Sequence, residues 1–141
     1  MQKIYYTHSA NETRAVASEL AKGFSGGEVI AMQGDLGAGK TCFVSGLAEA
    51  LGFCGEVSSP TFAIINEYRG GRLNLYHFDM YRVSSWEDLY STGFFEYIEA
   101  GGVTAIEWSE NIEAALPEKY ITVCINKLSD GGRSITVEGA E

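Results

Sequence analysis

The sequence of 141 residues has the length of one domain with its own hydrophobic core, and we predict a single domain over residues 1–141. Ten basic and nineteen acidic side chains give a formal net charge of −9, which opposes non-specific binding to nucleic acid, so any contact with RNA should be indirect. The same charge disfavours anionic membrane surfaces, and no apolar stretch approaches the roughly 20 residues that cross a bilayer.

The first third of the chain predicts a helix followed by a strand, a loop and a second helix. The polar start, Met1 to Glu12, lacks the apolar stretch of a signal peptide, which indicates a cytoplasmic protein. Ser9-Ala10-Asn11-Glu12 has the form of a capping box and precedes apolar residues at helical spacing, which predicts a helix from about Ala10 to Lys22. The run Glu28 to Gln33 predicts a short buried strand that leads into a glycine-rich loop and a helical stretch through Leu51.

The rest of the chain predicts hairpins, a further strand and short helices. Two β-rich runs flank Arg69-Gly70-Gly71-Arg72, whose paired glycines suit a tight turn between antiparallel strands. A helix is expected where serines precede acidic residues, and another ahead of Pro117. In chain order these elements are the strands Thr61 to Tyr68 and Leu73 to Asp79, a helix start at Ser84 to Leu89, a helix around Phe94 to Glu99, the strand Val103 to Glu107, a helix at Glu110 to Leu116, and a hairpin of Tyr120 to Asn126 with Ser134 to Glu138.

The glycine-rich loop, Gly34-Asp35-Leu36-Gly37-Ala38-Gly39-Lys40-Thr41, satisfies the pattern G-x-x-x-x-G-K-[ST]. Its glycines let backbone N–H groups wrap phosphate oxygens at a helix N-terminus, and its lysine reaches the β and γ phosphates. The hydroxyl of Thr41 suits Mg²⁺, which prefers oxygen ligands. The sequence therefore predicts a site for ATP and Mg²⁺. The expected nucleotide-binding residues are Gly34, Leu36, Gly37, Ala38, Gly39, Lys40, Thr41 and Cys42.

The early alternation of strands and helices, with hairpins later, predicts an α/β fold. We expect a three-layer sandwich like that of P-loop nucleotide hydrolases, with a mixed central sheet, antiparallel hairpins and flanking helices. Ligands of such sheets bind beyond the carboxyl ends of the central strands. The loop that begins at Gly34 falls at such an end.

Two acidic side chains at the ends of predicted strands could hold magnesium or its water. Glu107 ends the apolar run Val103-Thr104-Ala105-Ile106 and suits the Walker-B position, although acids are also common at strand ends. Asp79 shares one face of its strand with His77, so both could approach the γ-phosphate or the attacking water. Asp79 and Lys40 are the candidate catalytic residues, and Thr41 and Glu107 are the candidate metal ligands.

Three further features allow either a functional or a structural interpretation. Thr61, in Ser58-Ser59-Pro60-Thr61, could bind magnesium or the γ-phosphate as switch threonines do, or it could simply begin a strand. Arg82 could neutralise charge on the transferred phosphoryl group, or it could lie on the surface. Trp108 could stack on a base or a partner, although a tryptophan beside a buried strand more often belongs to the core.

With these residues in place, the chain resembles the TsaE (YjeE) family, the ATPase of bacterial tRNA threonylcarbamoyladenosine synthesis. The resemblance covers nearly the whole chain and rests on four motifs in the family's order and approximate spacing. They are the loop Gly34 to Thr41, Ser59-Pro60-Thr61-Phe62, His77-Phe78-Asp79-Met80-Tyr81-Arg82, and Ile106-Glu107-Trp108.

The resemblance implies a role for each matched residue. Thr41 and Glu107 would hold Mg²⁺, Lys40 and the loop amides would hold the phosphates, and Asp79 would take part in hydrolysis. The switch-like segments would contain Ser59, Pro60, Thr61, His77 and Arg82. The family further implies partners of the TsaD and TsaB types, which transfer threonylcarbamoyl to adenosine 37 of tRNA. The ATPase would be slow alone, would reset or regulate that complex, and would meet tRNA only through it.

Other kinds of nucleotide-binding protein are also compatible with the loop. Asn126-Lys127-Leu128-Ser129-Asp130 nearly reproduces the guanine-reading N-K-x-D of a small GTPase-like switch, but its acid stands one position late. Asp79-Met80-Tyr81-Arg82 also has arginine where the D-x-x-G switch needs glycine. A nucleotide-gated binding module would use ATP to order its switch segments with negligible turnover. A small-molecule kinase would need an acceptor pocket and a lid, for which the chain leaves little sequence.

Overall fold

The computed structural model describes residues 2–34, 39–54 and 65–139, and within these ranges seven strands form one mixed sheet. The strands are β1 (Gln2–Thr7), β2 (Val29–Gly34), β3 (Ile65–Tyr68), β4 (Leu75–Asp79), β5 (Val103–Glu107), β6 (Ile121–Lys127) and β7 (Arg133–Glu138). Their order across the sheet is β1-β7-β6-β2-β5-β4-β3. The four strands β6, β2, β5 and β4 pair in parallel. The predicted antiparallel pairs, β3 with β4 and β6 with β7, are confirmed.

Helices cover both faces of the sheet, which confirms the predicted three-layer α/β fold. They are α1 (Ala10–Ala21), α2 (Lys40–Ala50), α3 (Trp86–Ser91) and α4 (Phe94–Glu99), and a 3₁₀ helix spans Ser109–Ala115. One hydrophobic cluster joins α1 and α2 to the first face of the sheet. A second cluster joins α3, α4 and the 3₁₀ helix to the other face, over β2, β4 and β5.

The side chains of β2, at the centre of the sheet, enter both clusters. Ile30 and Met32 pack with α1 and α2, whereas Val29 packs with the second cluster. A parallel strand between two helical layers has no solvent-facing side, which explains the unbroken apolar run. Full burial of each such side chain contributes about 1.5–3 kcal/mol to stability. The strand that feeds the glycine-rich loop is therefore anchored on both faces.

The predicted capping box at the start of α1 is confirmed in a modified form. The hydroxyl of Ser9 accepts a hydrogen bond from the N–H of Glu12, as a capping serine does. The carboxylate of Glu12 accepts in return from the N–H of His8, one residue before the cap. Ser85 caps α3 in the same manner, through the N–H of Asp88, so the helix start predicted at Ser84 to Leu89 is also confirmed.

The main difference from the sequence-based expectation lies at the start of the chain. No strand is predicted in the polar segment Met1 to Glu12, yet Gln2–Thr7 forms β1, which pairs antiparallel with β7. Tyr5 packs on the first hydrophobic cluster, whereas Ile4 and Tyr6 are exposed. The run Ile4-Tyr5-Tyr6-Thr7 consists of β-branched and aromatic residues that favour strands, and the polar residues around it obscured this signal.

Two smaller differences concern local structure. The helix expected at Glu110 to Leu116 is a 3₁₀ helix that begins at Ser109, and Ile112 within it has a non-helical φ of −131°. A strand is expected from Thr61 onwards. Residues 61–64 lie outside the described residues, and β3 begins at Ile65. None of the helices in the described ranges has both the length and the apolar character needed to span a membrane.

Candidate functional site

The candidate site lies where three neighbouring parallel strands end. β2 ends at Gly34, β5 at Glu107 and β4 at Asp79. Glu107 is the register partner of Met32 on one side and of Asp79 on the other. The first residue of the glycine-rich loop and both candidate carboxylates therefore share the carboxyl edge of the sheet, where ligands of open α/β sheets bind.

The two ends of the glycine-rich loop are described, and they are shaped by glycine. Gly34 has a φ of +126°, and a Cβ atom there would lie 1.9 Å from the carbonyl oxygen of Ile125. Gly39 precedes α2 with a φ of +107°. The ammonium group of Lys40 donates to the carbonyl oxygen of Gly34 at 3.5 Å, so its side chain points back towards the end of β2. The predicted nucleotide-binding residues Leu36, Gly37 and Ala38 lie outside the described residues.

Thr41 and Cys42 lie in the first turn of α2, as predicted. The thiol of Cys42 donates to the carbonyl oxygen of Ala10 at 3.3 Å, and the guanidinium of Arg14 approaches its sulfur at 3.7 Å. The side chain of Cys42 thus joins α2 to α1. Its predicted part in nucleotide binding would fall to its backbone N–H, since the first N–H groups of a helix have no intrahelical acceptor.

Glu107 is held by a buried histidine. Nε2 of His77 lies 2.6 Å from Oε2 of Glu107, and His77 is fully buried while the Glu107 side chain is 13% exposed. Nδ1 of His77 has no hydrogen-bond partner among residues 2–34, 39–54 and 65–139. A carboxylate oxygen can only accept a hydrogen bond, so Nε2 of His77 is the donor when Glu107 carries no proton. His77 was predicted to approach the phosphate, and the structure places it against Glu107.

Asp79 is held at the end of β4 by the turn that follows. Its Oδ1 accepts the N–H of Tyr81 at 3.0 Å, and the N–H of Met80 donates to the carbonyl oxygen of Glu107. The backbones after the two carboxylates are therefore joined directly. Asp79 is half-buried, so its side chain remains accessible from the carboxyl edge.

Trp108 is not a core residue, contrary to the structural interpretation favoured from the sequence. It is 37% exposed, and its ring meets the ring of Tyr81 edge to face with a centroid distance of 4.8 Å. Its φ of +59° makes it the only non-glycine residue of the described chain in the left-handed region. Such a conformation costs about 1–3 kcal/mol and persists where the surroundings impose it, often at functional sites. This left-handed residue directly follows Glu107 at the end of β5.

Of the remaining predicted residues, only Arg82 lies within the described ranges. Arg82 is exposed, and it forms no ion pair within the part of the chain that the structure describes. Ser59, Pro60 and Thr61 lie outside the described residues. The switch-like roles of these residues stay predictions.

The donor groups at this edge suit Mg²⁺ and a nucleotide triphosphate. Thr41 and Glu107 offer hard oxygen atoms, the ligand type that Mg²⁺ prefers. Within the described ranges no group of three or more His, Cys, Asp or Glu side chains forms a metal cluster. Mg²⁺ commonly takes one or two protein ligands and fills its octahedron with phosphate and water oxygens, so this sparse donor set is compatible with it.

A cavity beside α2 was not predicted from the sequence. It measures about 230 Å³ and extends from Gly39 and Cys42 to the turn between β6 and β7. Thr7, Ser9 and Gly131 are among its lining residues. Two signals could have indicated it: the polar run directly after β1, and the paired glycines Gly131-Gly132. Neither signal indicates a cavity unless β1 is known to lie beside β7.

Comparison with known proteins gives consistent matches. A model of the family described as "Threonylcarbamoyl adenosine biosynthesis protein TsaE" matches residues 7–135. A relative from Treponema pallidum (strain Nichols), named tRNA threonylcarbamoyladenosine biosynthesis protein TsaE, is 44% identical over 131 residues, which are 93% of this chain and 96% of the relative. The protein of the same name from Bacillus subtilis (strain 168) is 44% identical over 131 residues, covering 92% of this chain and 81% of the relative. A crystal structure of YdiB from Bacillus subtilis superposes on this chain with a TM-score of 0.86 and 38% sequence identity. The match covers 100% of this chain and 87% of the YdiB chain.

Proposed function

This chain belongs to the TsaE family, and we propose that it serves tRNA threonylcarbamoyladenosine biosynthesis as a magnesium-dependent ATPase. The observation that carries the ATPase proposal is the convergence of Gly34, Asp79 and Glu107 at the ends of three adjacent parallel strands. One residue begins a phosphate-binding loop, and the other two are carboxylates within reach of a bound cation. Phosphoryl transfer needs this combination, because its catalysis depends on positioning and charge neutralisation.

We assign phosphate and metal binding to the first turn of α2 and to β5. Lys40 would leave the carbonyl oxygen of Gly34 to contact the β and γ phosphates, and the N–H groups of the loop would donate to phosphate oxygens. Thr41 and Glu107 would hold Mg²⁺, which supplies charge neutralisation at the γ-phosphate when bound. His77 would keep Glu107 in place by its hydrogen bond to Oε2, which leaves Oε1 for the metal.

Hydrolysis is assigned to Asp79. Its Oδ1 accepts the N–H of Tyr81, and this bond fixes the rotamer of the carboxylate at the edge of the sheet. Oδ2 would orient the attacking water and accept its proton, a role that contributes about 10²–10⁴-fold to rates. Asp79 can do this beside Glu107 because the two carboxylates end neighbouring strands.

The cavity of about 230 Å³ between Gly39 and the β6–β7 turn is the proposed site of the base. It adjoins the start of α2, where the phosphates would lie. Thr7 and Ser9 line it with hydroxyl groups, and Gly131 lines it from the turn between β6 and β7. Hydrogen bonds from such polar groups would select the base.

The proposed partners are proteins of the TsaD and TsaB types, which would bring tRNA to the complex. The formal charge of −9 is consistent with a subunit that leaves RNA binding to others. Because tRNA modification takes place where tRNA resides, we expect the protein in the cytoplasm.

Calorimetric titration of the purified chain with ATP, ADP and GTP, with and without Mg²⁺, tests the nucleotide assignment. We expect selectivity for adenine and tighter ATP binding with Mg²⁺. The Glu107→Ala variant should lose the effect of Mg²⁺, while Glu19→Ala on the exposed side of α1 should keep it. Preference for GTP would instead support a small GTPase-like switch, and absence of binding would overturn the proposal.

A turnover assay separates an ATPase from a nucleotide-gated binding module. We expect slow hydrolysis by the chain alone and faster hydrolysis with the TsaD- and TsaB-type proteins of the same organism. Binding of ATP without turnover in either condition would support the binding module. Formation of threonylcarbamoyladenosine in a reconstituted reaction, with and without the chain, tests the biosynthetic role directly.

A further inference from the structure

Aromatic side chains are exposed on the outer side of α3. Trp86 is 54% exposed and Tyr90 is 65% exposed, and their ring centroids, one helical turn apart, lie 6.3 Å from each other. Tyr90 also meets the ring of Phe95 in α4 at 5.2 Å. Tryptophan and tyrosine are the residue types that most often dominate the binding energy of protein interfaces. We call Trp86, Tyr90, Phe95 and the groove beside them the α3 surface.

The groove of the α3 surface separates α3 from the 3₁₀ helix. It encloses about 170 Å³, and its lining includes the apolar side chains of Val83, Leu89 and Ile112. Trp86 stands at its rim. The groove can receive one apolar side chain, and the exposed rings of α3 would cover that side chain from water.

The charge around the α3 surface is strongly acidic. The segment Arg82 to Glu118 holds eight acidic side chains and one basic side chain, Arg82, so it carries a net charge of −7 out of −9 for the chain. Glu87, Glu110 and Glu113 are exposed beside the groove. A partner that seats on this surface therefore needs basic side chains around an apolar one. A second copy of this chain would place two acidic surfaces together, which is unfavourable.

The wall of the groove is hydrogen-bonded to the residues that follow the two candidate carboxylates. Asn111, which lines it, donates through Nδ2 to the carbonyl oxygens of Met80 and Tyr81. The N–H of Asn111 in turn donates to the carbonyl oxygen of Trp108. These bonds join the wall of the groove to the residues that follow Asp79 and Glu107. A partner in the groove would thus contact Asn111, which is bonded to the turn after Asp79 and to the residue after Glu107.

We propose that the α3 surface docks the protein partner that accelerates hydrolysis, through a basic face that inserts one apolar side chain into the groove between α3 and the 3₁₀ helix. This proposal rests on the proposed function, because it names the surface at which the partner of that ATPase binds. It assigns the docking energy to Trp86 and Tyr90, which lie outside the nucleotide site.

The test measures binding of the full-length chain to the TsaD- and TsaB-type proteins of the same organism. Trp86→Ala and Tyr90→Ala should each weaken binding at least about tenfold, as truncation of a central aromatic does. Tyr6→Ala is the matched control, because Tyr6 is 64% exposed but lies on β1, at the far edge of the sheet. Glu87→Lys and Glu113→Lys should slow association and weaken its salt dependence. Titration with ATP and thermal melting should show all these variants intact.

The outcomes separate this proposal from the function on which it rests. If wild type binds the partners and is accelerated by them, but the α3 variants behave like wild type, docking lies elsewhere and the ATPase assignment stands. If wild type neither binds the partners nor responds to them, the partner assignment fails and the docking surface fails with it. Self-association of the chain that Trp86→Ala abolishes would show that a second copy occupies the surface, which would also overturn the proposal.

Discussion

Nε2 of His77 lies 2.6 Å from Oε2 of Glu107, and the two residues belong to the neighbouring strands β4 and β5. A buried histidine with one nitrogen on a carboxylate and the other without a described partner is not needed for packing alone. It fixes the position of the carboxylate that we assign to Mg²⁺. Groups that hold a metal ligand in place commonly affect metal affinity as much as activity.

Replacing His77 should therefore weaken Mg²⁺ binding. His77→Leu removes the donor at similar volume, and we expect the Mg²⁺ concentration that supports ATP binding to rise about 10–100-fold. His77→Gln keeps an N–H donor and should recover part of the loss. The measurement is calorimetric titration of ATP at a series of Mg²⁺ concentrations.

The matched control for His77 is Thr104→Val, which removes a buried polar group from β5 away from the site. It should leave the Mg²⁺ dependence unchanged even if it lowers the melting temperature. Wild-type Mg²⁺ dependence in a folded His77→Leu variant would contradict the positioning role.

Substitutions of Asp79 and Lys40 should affect catalysis and ATP binding differently. Asp79→Ala should abolish turnover and leave ATP binding largely intact, with a loss of about 10²–10⁴-fold in rate. Lys40→Ala should weaken ATP binding about tenfold or more as well, because it removes a charged hydrogen bond to phosphate. The measurements are single-turnover hydrolysis and calorimetry on the same preparations.

Asp79→Asn distinguishes chemistry from local structure. The amide oxygen of asparagine can still accept the N–H of Tyr81, so the turn after β4 should persist. Loss of turnover in this variant would assign the effect to the carboxylate charge, whereas full activity would remove Asp79 from the mechanism.

Gly34 should tolerate no side chain. Gly34→Ala would bring a Cβ atom to 1.9 Å from the carbonyl oxygen of Ile125 at a φ of +126°, so β2 and β6 would have to separate. We expect a loss of at least about 2 kcal/mol in the free energy of unfolding. Gly27→Ala is the control, because Gly27 also has a positive φ of +87° but nothing lies within 4 Å of a Cβ there. It should cost only about 1 kcal/mol in urea denaturation. Equal losses at the two positions would show that the contact with Ile125 is not the cause.

Trp108 should reveal its backbone strain when its side chain is removed. Trp108→Gly should be about 1 kcal/mol more stable than Trp108→Ala, since only glycine accepts a φ of +59° without strain. Both variants lose the contact with Tyr81, so their difference isolates the backbone. Denaturant unfolding of the pair measures it, and equal stability would mean that the backbone relaxes when the indole is absent.

Asp88 should make stability depend on pH in the acid range. The backbone N–H of Ser84, followed by its hydroxyl, holds the pKa of Asp88 below its ordinary value of 3.8. A carboxyl with a lowered pKa stabilises the fold fully above its unfolded pKa, and the stabilisation is lost as pH falls through the folded pKa. Wild type should thus be more stable than Asp88→Ala at neutral pH, and the difference should shrink below pH 3.8. Glu87→Ala, which removes no described side-chain hydrogen bond, should show no such convergence in urea denaturation.

The sequence was sufficient for the elements that carry strong local signals. The apolar run before Gly34, the paired glycines before Leu75 and the serine caps of α1 and α3 each correspond to an element of the structure. Each signal depends on residues that are neighbours in the chain. A parallel strand that is buried on both faces has a continuous apolar sequence, which an element with one solvent-facing side does not have.

Features that depend on distant residues could not be predicted. The pairing of β1 with β7 joins segments that lie far apart in the chain, and the cavity next to Thr7 depends on that pairing. The contact of His77 with Glu107 follows from the alignment of β4 with β5, which the sequence does not encode locally. The left-handed turn at Trp108 is imposed by tertiary contacts, because tryptophan itself disfavours it.

The pairing of β1 with β7 also bears on how the protein is made. Gln2 pairs with Glu138 and Thr7 with Arg133, so a strand synthesised early must wait for one synthesised late. Closing so long a loop is entropically costly, and it can follow only after β7 has left the ribosome. Thr7 and Gly131 meet in the cavity that we assign to the base only at this stage. A nascent chain would therefore complete its nucleotide site only after β7 pairs with β1, and bound ATP would favour chains in which this pairing has formed.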